Sequence, residues 1–256
     1  MFTDSTALQS REYGSRGPLA ARLAIYDYQQ DRVDLPGLAL EGLSATTGRV
    51  LDAGCGLGTY VDRIRTERTD LHVVPLDLSA GMAAEVVADV QRLPLADGSV
   101  DAALAMHMLY HVPDIEAAAG ELRRVVRPGG VLLVSTNGAA DKVELDALWC
   151  AAVEDLTGRP TTAPAGDDRF TLDDGDLLRT AFDEVTVRVF DRETLVPDVE
   201  PVLAFVDSLR GLGEELLPPG VAWDDFLGAA RARVADEVAR TGHWRLTSQV
   251  GVFTCR

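Results

Sequence analysis

The sequence predicts an α/β fold, a doubly wound and mostly parallel sheet with helices on both faces. Three observations carry it. Short apolar runs at 50–52, 71–76, 100–106 and 131–134 have the length and composition of buried strands. Segments with apolar residues three or four apart, or with helix start and stop signals, lie between most of them. Strands and helices alternating along the chain imply crossover connections and therefore a parallel sheet.

Taken in order, residues 5–48 read as helices, with Leu19, Leu23 and Tyr26 at helical spacing and Pro36-Gly37 interrupting the pattern. Arg49-Val50-Leu51-Asp52 is a short strand running into Gly54, Gly56 and Gly58, after which Val61 and Ile64 share a helix face. Leu71 to Leu76 is a second strand ending at Asp77. Met82 to Val87 reads as a helix, and Val90 to Asp97 as a loop around Pro94. Val100 to Met106 is a continuous buried strand. Asp114 is placed to cap a helix over Ile115 to Val126, which Pro128-Gly129-Gly130 ends in a turn before the strand Val131 to Val134.

After residue 137 the rhythm changes. Leu145, Leu148, Trp149, Ala152, Val153 and Leu156 form one apolar helical stripe. The Pro/Thr/Gly/Asp-rich stretch Thr157 to Asp168 then reads as a mobile loop, so 137–175 is expected to form a lid over a site. Further stripes follow at Val199/Val202/Leu203/Val206 and Trp223/Phe226/Leu227/Ala230/Val234. Val185, Val187 and Val189, and likewise Trp244, Leu246, Ser248, Val250 and Val252, alternate with period two, predicting two half-exposed strands along one sheet edge. The expected organisation is a helical cap (1–48), a sheet core (49–136), the lid (137–175) and a C-terminal part of the core with edge strands (176–256).

Composition narrows the function. The 256 residues carry a formal charge of −17, and no basic run exceeds Arg123-Arg124, so a nucleic-acid partner is not expected. No apolar run approaches the ~18 residues of a membrane helix, and the N-terminus lacks the pattern of a signal peptide. A cytoplasmic monomer or homodimer without a membrane partner is the expectation. Cys55, Cys150 and Cys255 are far apart and odd in number, suggesting neither a disulfide framework nor a metal site. His107 and His111 lie four apart, but no third ligand has suitable spacing. Nearly all basic residues are Arg, with Lys142 the one Lys, as in GC-rich bacterial genomes.

The glycine turn is the chemical signal. Three glycines between a strand and a helix let a ligand approach the backbone, with helix N–H groups pointing at it. Dinucleotide binding requires G-x-G-x-x-G, whereas here position 59 is Thr and the third glycine comes one residue early. Nor does a Lys follow to make a phosphate-binding loop. Asp52 would repel a pyrophosphate and suits a ligand bearing an ammonium group.

VLDAGCGLGTY (50–60) resembles the first motif of the class I S-adenosylmethionine (SAM)-dependent methyltransferases. The likeness continues through VVPLDLSAGM (73–82), ADVQRLPLADGSVDAALAMHMLYHVPD (88–114) and ELRRVVRPGGVLLVST (121–136), and is nearest to ubiquinone/menaquinone-type and natural-product methyltransferases. The resemblance implies a Rossmann-like doubly wound seven-stranded sheet, mostly parallel with an antiparallel last strand, plus N-terminal helices and a helical lid. It further implies that Asp52 and the backbone of Gly54 and Gly56 hold the methionine part, and that Asp77 takes the ribose hydroxyls. Leu78 and Met82 would sandwich the adenine, with Asp89 and the Val90 N–H on its edge. His107 would lie near the sulfonium. Pro75 departs from the pattern where Gly is frequent.

His107 and Tyr13 are the candidate catalytic residues, and Arg22 and Tyr26 further candidates in the N-terminal helices. The expected reaction is methyl transfer to an oxygen, nitrogen or carbon of a small molecule, with S-adenosylhomocysteine as the product. His107 would assist weakly, or no dedicated base would exist. Peptide or protein methylation, non-methyl chemistry at the same cofactor site, and non-catalytic SAM binding are the alternatives, with NAD(P) oxidoreduction disfavoured by the glycine spacing.

Overall fold

A computed structural model describes residues 15–164 and 170–256. The chain opens with helix α1 (Arg16–Ala24), a 3-10 turn (Ile25–Tyr28) and α2 (Leu35–Gly42). The core follows as β1 (Gly48–Ala53), α3 (Thr59–Glu67), β2 (Leu71–Asp77), β3 (Val86–Val87), β4 (Val100–Met106), α4 (Ile115–Val125) and β5 (Val126–Asn137). Then come α5 (Val143–Thr157), α6 (Gly175–Arg179), β6 (Val185–Val196), α7 (Val199–Asp207), α8 (Arg210–Gly213), α9 (Trp223–Thr241) and β7 (Trp244–Cys255).

The strands form one seven-stranded sheet in the order β3-β2-β1-β4-β5-β7-β6. Every neighbouring pair is parallel except those made by β7, which runs antiparallel to both β5 and β6. This is the Rossmann-like architecture the motifs imply. Chain order reverses between β1 and β4, the place where open α/β sheets bind ligands at the carboxyl ends of their strands.

Successive residues of the central strands serve opposite faces. Leu51, Ala103, Ala105, Leu132 and Val134 pack with Ala118, Leu122 and Val125 of α4, while Val50, Ala102, Leu104, Val131 and Leu133 pack with Ala39 of α2 and with Val61 and Ile64 of α3. Burial on both faces is why these strands read as unbroken apolar runs. A third apolar cluster joins Ile25 to Leu148 and Val153 of α5, Val202 and Val206 of α7, Trp223, Phe226 and Val234 of α9, and Val196, Trp244 and Leu246 of β6 and β7. It sits at the end of the sheet where β6 finishes and β7 begins, since Val196 pairs with Trp244. The helix predicted as part of a lid thus shares one apolar core with Ile25, α7, α9 and the adjoining ends of β6 and β7.

Several local expectations change. Met82 to Val87 is not a helix: the Ala83 N–H donates to the Gly56 carbonyl (2.8 Å), the Glu85 N–H to Pro75 (3.0 Å), and Val86-Val87 pairs with Leu76-Asp77 as β3. A six-residue segment gains too little from a helical turn to compete with sheet-edge partners. Pro36-Gly37 opens α2 instead of interrupting a helix, with Asp34 capping through the Gly37 N–H (3.0 Å), because Pro suits the first helical turn. Val187 and Val189 lie exposed on β6, and Leu156 is exposed at the end of α5. Pro75 sits inside β2 without disturbing its pairing to β1, opposite Asp52. Among the described residues no helix is long and apolar enough to cross a membrane.

Candidate active site

Asp52 lies at the carboxyl end of β1, 1% exposed, and among the described residues neither of its carboxylate oxygens has a hydrogen-bond partner. Burial, and after it the charge of Asp77, pushes its pKa up to about 7. A buried carboxylate without donors is costly unless something cationic is meant to meet it.

The glycine turn is folded back onto β2. The Gly54 and Cys55 N–H groups donate to the Leu76 carbonyl (2.8 and 3.0 Å), and the Gly56 N–H donates to Asp77 Oδ2 (3.0 Å). The amides of Gly54 and Gly56 are therefore engaged within the protein. Gly54 has φ +72°, and a Cβ there would stand 2.7 Å from the Met108 side chain. Glycine alone meets both the left-handed backbone and the close approach of Met108 at this position. Cys55 is buried, and its thiol is pushed up to about 12 by burial and then by Asp52 and Asp77, so it is inert as a nucleophile.

Asp77, at the end of β2, is oriented by the Gly56 N–H on Oδ2 and the Ser79 N–H on Oδ1 (2.9 Å). A carboxylate offers about four acceptor sites, so these bonds leave capacity for hydroxyl donors. Desolvation raises its pKa against the lowering effect of those bonds. Leu78 follows directly, half-buried, and Met82 is buried. Asp89 caps a short 3-10 turn through the Gln91 N–H (2.9 Å) and holds the Gln91 amide on both oxygens (3.1 and 3.0 Å). Val90 is buried beside it.

Sequence reasoning missed what fixes this loop. Glu121 of α4 accepts the Leu93 N–H (2.7 Å) and pairs with Arg124, whose guanidinium also reaches the Leu93 and Leu95 carbonyls and Asp97.

His107 follows β4 in a left-handed conformation, φ +55°, with its N–H on the Ser135 carbonyl (3.0 Å). Burial first, then Lys142 and Arg192, drive its pKa down to about 3, so the imidazole is neutral. His111 lies against the Tyr110 ring (4.5 Å between centroids). Among the described residues no group of His, Cys, Asp or Glu is arranged to hold a metal ion. Tyr13 lies outside the described residues. Arg22 is half-buried in the last turn of α1, and Tyr26 faces Lys142 and Arg192. Tyr60, Lys142 and Arg192 were not singled out as site residues. Tyr60 lies two residues after Gly58 and Lys142 is the one Lys, but nothing near Arg192 in the sequence marks it.

A buried carboxylate unpartnered among the described residues, beside the glycine turn at the switch point of this sheet, is suited to meet a cationic group. The chain belongs to the SAM-dependent methyltransferases, and SAM is its cofactor. Residues 51–134 match the methyltransferase domain family. The chain is 32% identical to a malonyl-[acyl-carrier protein] O-methyltransferase of Erwinia billingiae over 182 residues, 67% of each protein. It is 37% identical to a demethylmenaquinone methyltransferase of Beutenbergia cavernae over 121 residues, covering 43% of this chain and half of that one. Among solved structures it shares the fold of the [4+2]-cyclase SpnF (TM-score 0.53, 18% identity, 94% and 93% covered). It shares it also with a Haemonchus contortus phosphoethanolamine N-methyltransferase (TM-score 0.54, 16% identity, 100% and 59% covered).

Proposed function

We propose that this methyltransferase moves a methyl group from SAM to an oxygen, nitrogen or carbon of a small molecule by in-line displacement, in bacterial secondary metabolism. The observation that carries the reading is the buried Asp52 carboxylate, which has no hydrogen-bond partner among the described residues and suits an ammonium group. Asp77 would accept the ribose hydroxyls, Leu78 and Met82 flank the adenine, and Asp89 with the Val90 N–H read its edge. When bound, SAM supplies an electrophilic methyl on a sulfonium, so the hard chemistry is the cofactor's. The protein's part is to hold the acceptor in line and to exclude water, and proximity and orientation of this kind supply ~7–11 kcal/mol. His107, neutral and flanked by cations, is a weak base and serves to shape the pocket. The acidic chain and the demethylmenaquinone relative support a small acceptor. A carrier-borne acyl acceptor is the second reading, favoured by the malonyl-[acyl-carrier protein] relatives.

Calorimetric titration with SAM and separately with NADH tests the cofactor site. Micromolar SAM affinity, weakened about tenfold or more in Asp77→Ala, with no NADH binding, is expected. Folded protein that binds no SAM would sink the reading.

A further inference from the structure

Beside His107 the structure gathers a polar cluster that the cofactor does not account for. Lys142, directly before α5, stands in a left-handed conformation, φ +58°, with a side chain only 12% exposed. It is paired with Asp141, and its ammonium lies 5.7 Å from the centre of the Tyr26 ring. Arg192 of β6 places its guanidinium 5.9 Å from the same ring. Its one hydrogen bond among the described residues joins Nη1 to the neutral Gln29 Oε1 (3.3 Å), while its buried Nε and the Gln29 amide nitrogen have no partner. The residues on either side of Arg192 cannot neutralise it, because Asp191 holds Gln249 and Glu193 holds Arg245 on the other face of the strand.

Two cations therefore meet one carboxylate, Asp141, which also accepts the Gln249 N–H (3.3 Å). Among the described residues that one carboxylate faces both cations, so one positive charge is left in excess in a half-buried cluster, an arrangement that costs free energy unless an anion completes it. Tyr26, His107, Lys142 and Arg192 are each partly accessible and are not sealed in the core. His107 and Lys142 are also two of the three non-glycine residues at positive φ among the described residues. Backbone strain of this kind persists where surrounding structure enforces it, and it concentrates at ligand sites.

We infer that Arg192 and Lys142, with Tyr26 and Gln29, form the acceptor subsite, and that the acceptor carries an anionic oxygen group, a carboxylate or a phosphoryl group. The inference rests on the methyltransferase reading above and names its substrate class. It also accounts for the lack of a strong base at His107: an acceptor held by its own negative charge is positioned without proton transfer to the protein.

The test uses the full chain saturated with S-adenosylhomocysteine, titrated by calorimetry with benzoate, hexanoate and malonate, with the neutral amide of each, and with phenyl phosphate. At least one acid or the phosphate should bind about tenfold or more tighter than its uncharged counterpart. Tighter acids identify a carboxylate acceptor, and a tighter phosphate identifies a phosphoryl one. Arg192→Gln should abolish the preference while leaving S-adenosylhomocysteine affinity within about twofold, and Arg192→Lys should retain part of it. Should Arg192→Gln fail to fold, the wild-type comparison of anion with amide decides alone. Equal binding of acids and amides, or a preference unchanged in Arg192→Gln, overturns the inference, as does a loss confined to S-adenosylhomocysteine affinity, which would reassign Arg192 to the cofactor. Failure of the wild type to bind S-adenosylhomocysteine would instead overturn the reading on which this one rests.

Discussion

Asp52 ties cofactor binding to pH. Its pKa is raised from 3.8 to about 7 in the folded protein. For a group raised in this way, the stability it contributes is fully present below the unfolded value and is lost as pH rises through the folded one. The ligand-free wild type should therefore lose stability between about pH 4 and pH 7, and Asp52→Asn should remove that loss, melting above the wild type at about pH 8. Capture of an ammonium group needs the ionised carboxylate, so SAM affinity should fall as pH drops below about 7, approaching tenfold per unit. Asp52→Asn should bind weakly with a flat profile, and calorimetry across this range in both proteins reads the difference. A flat wild-type profile would separate Asp52 from the cofactor. The positions of Asp52, Asp77 and His107 at strand ends were legible because the motif places each there. Arg192 and Lys142 were not, since their meeting with Tyr26 depends on packing between residues more than a hundred positions apart.

At the scale of elements, α4 holds the loop that carries Asp89 and Val90. Glu121 accepts the Leu93 N–H and pairs with Arg124, which binds two loop carbonyls, so one side chain closes a network between helix and loop. Glu121→Ala should leave the Leu93 N–H without its partner and loosen Arg124, costing about 1–2 kcal/mol of stability. It should also weaken SAM binding about three- to tenfold, with no change in the sheet's far-UV signature; unaltered affinity would show that the loop is fixed by Val90 and Leu93 burial alone. The strands of this layer were readable because burial on both faces leaves an unbroken apolar run. The segment Met82 to Val87 was not, because its apolar spacing fits a helix as well as an edge, and the choice lies with carbonyls of Gly56 and Pro75 far along the chain. The third apolar core was readable only as separate stripes. That α5, α7 and α9 share one core around Trp223 is a fact of packing that no stripe contains.

The molecule as a whole carries a formal charge of −17, and that field acts on both ligands with opposite sign. SAM has a sulfonium, an ammonium and a carboxylate, so it is a net cation and is drawn in. An anionic acceptor is repelled at long range and held only once it reaches Arg192 and Lys142. The fold does not decide between acceptors, since a cyclase and an N-methyltransferase share it. Salt discriminates, because the Debye length falls from about 30 Å at 0.01 M to about 8 Å at 0.15 M, removing the long-range part while leaving contacts within the pocket less affected. Raising salt over this range should weaken SAM binding and speed association of the acid, with the matching amide unresponsive. Stopped-flow association rates at the two ionic strengths measure both. Salt slopes of the same sign for cofactor and acid would mean that the acceptor is steered by the local cations instead of the acidic surface, placing the mouth of the pocket within their reach.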